Sequence, residues 1–404
     1  MSYIVNRKEL VTALKNLKVL IKGRRHSLPI LESVRIKEDN GYVTLSATDG
    51  ETYLTLKLTS ATTETPDPEG ILVNLESLLK IAQKVDEYNI SISQESIAEK
   101  ITTHVAAGKS TFKIGDGFPV AEFPTFPTIS PDSSFIIESV DLEDAIKFTK
   151  GAMSTDETRY VINGLYIEVV DDKVNFVATD GKVMALATKN VAADGTPAVI
   201  IPSKAVKVLE AVLKDAEGQV MAEVQGSKTN PNDKGTLNPY LKLSTYDFTL
   251  YTNPVNGQFP NYNQVIPKEE AFTASVNVES KPFLKAVDRV GLVGDLADRR
   301  YITPGIDVTL NGHLKVSAKI DSNEAEELVE SSNLQGKISV RFNPEYLEKA
   351  VKAVNRDNVS LNFTTELGVS TIGDFPERFW GVMPLRNDTA DKINITAISY
   401  NEPF

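Results

Sequence analysis

The pattern of apolar and polar positions repeats along this chain. In Phe176-Val-Ala-Thr-Asp-Gly-Lys-Val-Met-Ala-Leu186 an apolar-alternating run meets a polar turn and resumes, and Leu45-Ser-Ala-Thr-Asp-Gly-Glu-Thr-Tyr-Leu54 upstream is a near-copy. A fainter copy, Val316-Ser-Ala-Lys-Ile-Asp-Ser-Asn-Glu-Ala325, lies downstream. Each predicts strand, tight turn, strand. At the Asp-Gly pairs 49–50 and 180–181, Gly tolerates positive φ and Asp caps its own turn, so turn chemistry is expected there.

Helical spacing marks other segments. Over 5–22, Leu10, Leu14, Leu17 and Ile21 recur at spacings of 4, 3 and 4, while Lys8, Lys15, Lys18 and Lys22 recur at 7, 3 and 4. This predicts a helix with one core face and one lysine stripe, closed by Gly23 and followed by Arg24-Arg25-His26. Further helices are predicted over 74–85, 141–153, 203–214, 280–293 and 344–354, with strands around 31–36, 42–47, 53–58, 160–170, 174–187 and 305–320. The prolines of Phe118-Pro-Val-Ala-Glu-Phe-Pro-Thr-Phe-Pro127 cannot sit inside a sheet or helix and mark a boundary. Phe-Pro pairs at 123–124, 259–260 and 375–376 are 136 and 116 residues apart. The chain therefore reads as an α+β unit of about 130 residues written three times. The expected domains are 1–131, 132–268 and 269–386, with a C-terminal extension over 387–404 and a surface loop at 227–239.

At 404 residues, with 41% apolar and 24% charged positions, the composition is that of a soluble protein of several domains. No run approaches the roughly 18 apolar residues of a membrane span, and the first residues lack a signal peptide's apolar segment. With no Cys there is no disulfide framework and no thiolate zinc site. A cytoplasmic protein without cofactor or metal is expected.

The net charge of −12 argues against holding nucleic acid by bulk attraction. Distribution changes that picture. Cations recur on the outer faces of the predicted helices: Lys147 and Lys150; Lys204, Lys207 and Lys214; Lys281 and Lys285; Lys349, Lys352 and Arg356. Side by side, such stripes form a surface that follows a phosphate backbone without reading bases. Interleaved Glu9, Glu143, Asp288 and Glu348 keep it weakly positive. Catalytic signals fail. Gly108-Lys-Ser110 lacks the Gly that a phosphate-binding loop needs five residues earlier, where Thr103 stands. His26, His104 and His313 have no sequence partner suggesting a metal or a triad. An enzyme is not expected.

Leu28-Pro-Ile-Leu31 after Arg25, Thr158-Arg-Tyr-Val-Ile-Asn-Gly164, Val177-Ala-Thr-Asp-Gly181, Gly257-Gln-Phe-Pro-Asn-Tyr262 with Val265-Ile-Pro267, and Val382-Met-Pro-Leu-Arg386 occur in register. Together they resemble the bacterial sliding clamps, the beta subunits of DNA polymerase III, over residues 1–386. The resemblance implies three DNA-clamp domains per chain and a head-to-tail homodimeric ring with helices inside and sheets outside. It implies a non-enzymatic processivity factor that encircles double-stranded DNA without sequence preference and tethers the replicative DNA polymerase. A clamp loader opens the ring, and other clamp-motif proteins (translesion polymerases, mismatch repair, ligase) share it; no membrane is involved. A monomeric three-repeat scaffold that binds peptides without encircling DNA is the alternative.

Residue by residue, the resemblance brings Arg25 and Tyr160 to the DNA, beside Lys8, Lys15, Lys18, Lys22, Arg24, Lys204, Lys207, Lys349 and Lys352 of the basic stripes. It implies a partner-peptide pocket between the second and third repeats. The lining would be Ile162, Thr179, Gly181, Lys182, Val183, Met184, Pro260, Val265, Met383, Pro384, Leu385 and Arg386. Phe112, Ile114, Leu292 and Val293 align with the ring interface. The chain departs from the family at Val161, Val183 and Gly381, and in the tail from Asn387. That tail is expected to be a disordered end, with folding over the pocket through Tyr400 and Phe404 as the alternative.

Overall fold

The computed structural model describes residues 2–21, 28–63, 69–97, 100–115, 117–226, 239–296 and 305–386. Lys22, Arg24, Arg25, His26, most of the 227–239 loop and the tail from Asn387 lie outside them. The chain forms two compact units, residues 1–261 and 262–404.

The first unit holds the first two repeats. Helix α1 (Arg7–Ile21) begins where the Asn6 side chain accepts the Lys8 and Glu9 amides at 3.0 and 3.2 Å. It buries Leu10, Ala13, Leu14, Leu17 and Leu20. Leu20 rather than Ile21 completes the stripe, three residues after Leu17. Helix α2 (Leu75–Lys84) is capped by Asn74, which accepts the Ser77 amide at 3.0 Å. Helices α3 (Ser139–Thr149) and α4 (Ser203–Leu213) belong to the second repeat. The helix expected to reach residue 153 ends at Thr149 and tightens into a 3-10 turn over Lys150–Ala152. Helix α1 packs against α2 and α4, and α4 against α3, so the four form a row in the order α2, α1, α4, α3.

A nine-stranded sheet lies under this row. Its order is Ala192–Asp194, Ser133–Glu138, Gln219–Gln225, Tyr240–Ser244, Phe248–Thr252, Thr52–Leu58, Tyr42–Thr48, Ser33–Asp39 and Ile71–Asn74. The repeats fuse where Phe248–Thr252 pairs antiparallel with Thr52–Leu58, and the buried Thr52 and Thr252 hydroxyls meet at 3.1 Å. The joint is thus a backbone ladder rather than a flexible linker. On its far side, Lys57 Nζ stands 3.1 Å from the Tyr42 ring centroid and 3.4 Å from that of Tyr246. A five-stranded sheet, Thr62–Thr63, Ser2–Asn6, Asn89–Ile97, Lys100–Ala107 and Ser110–Ile114, completes the first repeat. Four antiparallel strands, Ala198–Pro202, Gly164–Val170, Lys173–Thr179 and Val183–Asn190, complete the second.

The second unit repeats the plan once. Helix α5 (Ser280–Gly291) is followed by a short α6 (Val293–Leu296), and α7 (Pro344–Val354) packs against α5. The helix expected over 280–293 therefore breaks at Leu292. Asn343 caps α7 by accepting the Glu345 amide at 2.9 Å, and Asn355 ends it in the left-handed region at φ 52°. One sheet runs Ser331–Gln335, Ala274–Glu279, Asn358–Phe363, Ser370–Asp374, Arg378–Val382. The other runs Asn323–Val329, Leu314–Ile320, Ile306–Leu310, Ile338–Phe342. Trp380, the only tryptophan of the chain, is fully buried here.

The two Thr-Asp-Gly copies fold alike down to single hydrogen bonds. Asp49 Oδ1 accepts the Glu51 and Thr52 amides at 3.1 and 2.8 Å, and Asp180 Oδ1 accepts those of Lys182 and Val183 at 2.8 and 2.9 Å. The threonines bond across each turn, Thr48 to the Thr52 carbonyl at 2.9 Å and Thr179 to that of Val183 at 2.6 Å. Gly50 and Gly181 take φ of 94° and 90°, as the turn requires. The third copy turns differently, with Asp321 itself at φ 55°. The first two differ in what Asp Oδ2 meets, because Asp49, whose side chain is only 6% exposed, also pairs with Lys204 of α4. Asp49→Ala therefore loses a cap and strands a lysine, for a cost of about 2–3 kcal/mol. Asp180→Ala loses the cap alone, about 1 kcal/mol. Urea midpoints of the two variants check this ranking.

Candidate functional site

The lysine stripes are present, and about half of their described members carry a carboxylate partner. In the helix row, Lys18 Nζ lies 2.6 Å from Glu76 Oε2, joining α1 to α2. Lys150 pairs with Glu210 of α4, Lys204 with Asp49, and Lys147 with Glu143 at 2.6 Å. The Glu76 carboxyl is held below the usual carboxylate range, chiefly by the hydrogen bond from Lys18. In the second unit, Lys349 meets Glu345 at 2.7 Å, Lys352 meets Glu348 at 2.5 Å and Arg356 meets Asp374 at 2.5 Å. Lys8, Lys15 and Lys207 are exposed and make no ion pair among the described residues.

Periodicity locates the lysines but not their partners. Glu76, Glu210 and Asp49 reach them from other elements, and nothing in the spacing of α1 or α4 signals it. Glu9, expected to interleave with the cations, instead accepts the Thr59 and Ser60 amides at 2.5 and 3.0 Å and pins α1 to the end of a strand.

A second cluster surrounds the Thr179-Asp180-Gly181 turn. The strand expected from residue 160 starts at Gly164, because Asp156 accepts the Thr158 amide at 3.0 Å and sets up a 3-10 helix over Glu157–Ile162. Arg159 ties that helix to the turn, donating to Asp156 Oδ2 at 3.1 Å and to the Asp180 carbonyl at 2.9 Å. Tyr160 beside it is 57% exposed. A Cβ at Gly257, where φ is 153°, would come within 2.6 Å of Val161 Cγ1 and 3.3 Å of the Tyr160 ring. Two residues on, Phe259 stacks on Tyr166, with centroids 4.7 Å apart and planes 4° apart. Burial, helped by the charge of Glu168, pushes the Tyr166 hydroxyl up to about 12.

Of the residues expected to receive a peptide, the first unit holds Ile162, Val183 and Met184 buried, Thr179 half-buried, and Gly181, Lys182 and Pro260 exposed. The second unit presents Val265 and Met383 at 47% and 43% exposure, Pro384 and Leu385 half-buried, and Arg386 exposed. The Leu385 amide is fixed by the Arg341 carbonyl at 2.7 Å. Exposed apolar side chains of this size suit the anchors of a short motif.

A third set lies on sheet edges and at the break between α5 and α6. Phe112 and Ile114 are half-buried on Ser110–Ile114, an outer strand paired on one side only. Leu292 is 54% exposed, whereas its neighbour Val293 is 3% exposed and belongs to the core of its own unit. Leu328, on the outer strand Asn323–Val329, is 66% exposed and was not singled out by the sequence pattern. Among the described residues no group of three or more His, Asp or Glu could hold a metal ion, and no helix is long and apolar enough to cross a membrane.

Three family descriptions match the chain in order. They are the DNA polymerase III beta subunit N-terminal domain over residues 1–127, its central domain over 136–261 and its C-terminal domain over 263–377. A beta sliding clamp from Rickettsia felis is 25% identical over 398 residues, covering 95% of this chain and 99% of the relative. The solved beta subunit of DNA polymerase from Streptococcus pyogenes superposes with a TM-score of 0.82 at 20% identity, covering 96% of this chain and all of the other. The DNA polymerase III subunit beta from Pseudomonas aeruginosa gives 0.80 at 24% identity, again over 96% of this chain and all of its own. The three repeats read from the sequence are thus three clamp domains, and the chain belongs to the DNA polymerase III beta subunit family.

Proposed function

We propose that this protein is a DNA sliding clamp: a head-to-tail homodimeric ring, helices inward, that encircles duplex DNA and tethers the replicative polymerase. The observation that carries the reading is the row of four helices in the first unit, which exposes Lys8, Lys15 and Lys207 in a protein of net charge −12. Such a face gives weak, sequence-independent phosphate contacts. Topology then supplies retention and the weak contacts leave the duplex free to slide. Tyr160, exposed and close to Gly257, adds an aromatic contact to the duplex.

Polymerase, clamp loader and the other clamp-motif proteins bind through short peptides. They use the turn residues Thr179 to Met184 with Ile162 and Pro260 on the first unit, and Val265 with Met383 to Arg386 on the second. The dimer closes through the edge strand bearing Phe112 and Ile114 and through Leu292. The protein works without chemistry of its own, in the cytoplasm.

Light scattering should give twice the chain mass of 44.3 kDa. Protein loaded onto nicked circular DNA by its loader should co-elute with the DNA and be released when the circle is cut. Retention that is indifferent to cutting would sink the clamp reading and favour a peptide-binding scaffold.

A further inference from the structure

Two carboxylates on the helix row reach across to lysines of a neighbouring element that would otherwise face the duplex. Glu76 sits between two helices, its Oε2 2.6 Å from Lys18 Nζ on α1 and its Oε1 3.7 Å from Lys80 Nζ on its own α2. Farther along the row, Glu210 on α4 binds Lys150, just past the end of α3. Both pairs stay open to water: Lys18 and Glu76 are 39% and 46% exposed, Lys150 and Glu210 38% and 31%. Lys8, Lys15 and Lys207 share the row without such partners among the described residues. One surface therefore carries two kinds of cation, free and occupied.

We propose that Glu76 and Glu210 are built-in competitors of the DNA phosphates, limiting how many lysines grip the duplex at any moment. The proposal rests on the clamp reading and goes beyond it by naming residues that weaken the DNA contact. A carboxylate and a phosphodiester offer an ammonium the same chemistry, anionic oxygens at hydrogen-bonding distance. Exposed pairs of this kind are weak, so trading one anion for the other is nearly balanced. A lysine already neutralised also displaces fewer counterions from DNA, and contributes less to affinity and to its salt dependence. As the duplex advances, Lys18, Lys80 and Lys150 pass from carboxylate to phosphate and back without any strong contact to break. Were the two acids only ties between helices, removing them would loosen the row and leave the salt dependence unchanged.

The test is Glu76→Gln with Glu210→Gln, singly and together, in the full-length protein. Glutamine keeps the size and a hydrogen-bonding oxygen while removing the charge. Binding to a short linear duplex is followed by fluorescence anisotropy across a salt series. Each lysine freed should steepen the slope of log affinity against log salt by up to about 0.9, so that each costs roughly three-fold more affinity between 50 and 200 mM salt. Diffusion of the loaded double variant along DNA should be slower than that of the parent.

Glu223→Gln is the control. It frees Lys242, 2.5 Å away, for the same change in net charge, but on strands of the sheet whose alternate residues Val220, Ala222 and Val224 are the buried ones. Its slope should match the parent's. An unchanged slope in the helix-row variants, or an equal rise in the control, overturns the proposal. Parent protein that is not held on closed circles would overturn the clamp reading itself; a parent that is held, with variants of unchanged slope, overturns this inference alone.

Discussion

Leu292→Asp should convert the dimer to monomer at micromolar concentration. The side chain is 54% exposed in the isolated chain, at the break between α5 and α6, so its substitution leaves the fold intact. An apolar anchor at the centre of an interface contributes about 2 kcal/mol or more when truncated, roughly a thirty-fold change in dissociation constant. Aspartate adds the cost of taking a charge out of water, and the loss should exceed that. Val293 is the informative neighbour. At 3% exposure it is packed within its own unit, so Val293→Ala should lower the unfolding midpoint more than it shifts the dimer equilibrium. Sedimentation velocity over a dilution series reads the dimer equilibrium of both variants, and urea unfolding reads the midpoint of Val293→Ala. A Leu292→Asp protein that remains dimeric would remove Leu292 from the proposed ring interface.

The largest stability loss is expected at Phe176. It is fully buried on Lys173–Thr179, the strand that enters the second Thr-Asp-Gly turn. Phe176→Ala removes most of an aromatic side chain and leaves a cavity that neighbouring strands, fixed by ladders on both sides, cannot collapse. The cost should be about 3–5 kcal/mol. Leu45 holds the equivalent position in the first copy and is equally buried, and Leu45→Ala should cost about 2–5 kcal/mol. Against an overall stability of about 5–15 kcal/mol, either change brings a domain near its threshold. Urea unfolding followed by circular dichroism measures both, and a loss below about 1 kcal/mol at Phe176 would mean the site repacks.

Local regularity was legible in the sequence. The spacing of Leu10, Leu14 and Leu17 located α1, and the Asp-Gly pairs located two turns together with their hydrogen bonds, because a short side chain and the backbone beside it settle the geometry. The 3-10 helix over Glu157–Ile162 was not legible, since one cap from Asp156 overrides a strand-like pattern. Nor was the break at Leu292, nor the contrast between the exposed Leu292 and the buried Val293, which spacing alone cannot separate. The electrostatic partners were least accessible: Lys204 finds Asp49 across the fused sheet of two repeats, a contact that exists only once the fold is assembled.

The solitary Trp380 gives this molecule an intrinsic reporter confined to one of its two units. Buried on Arg378–Val382, its emission should be blue-shifted in the native state and move to the red only when the 262–404 unit opens. Far-ultraviolet circular dichroism, in contrast, averages over both units. Coincident transitions by the two probes would mean that the chain melts as one cooperative body, and separate transitions would assign an order in which its parts come undone.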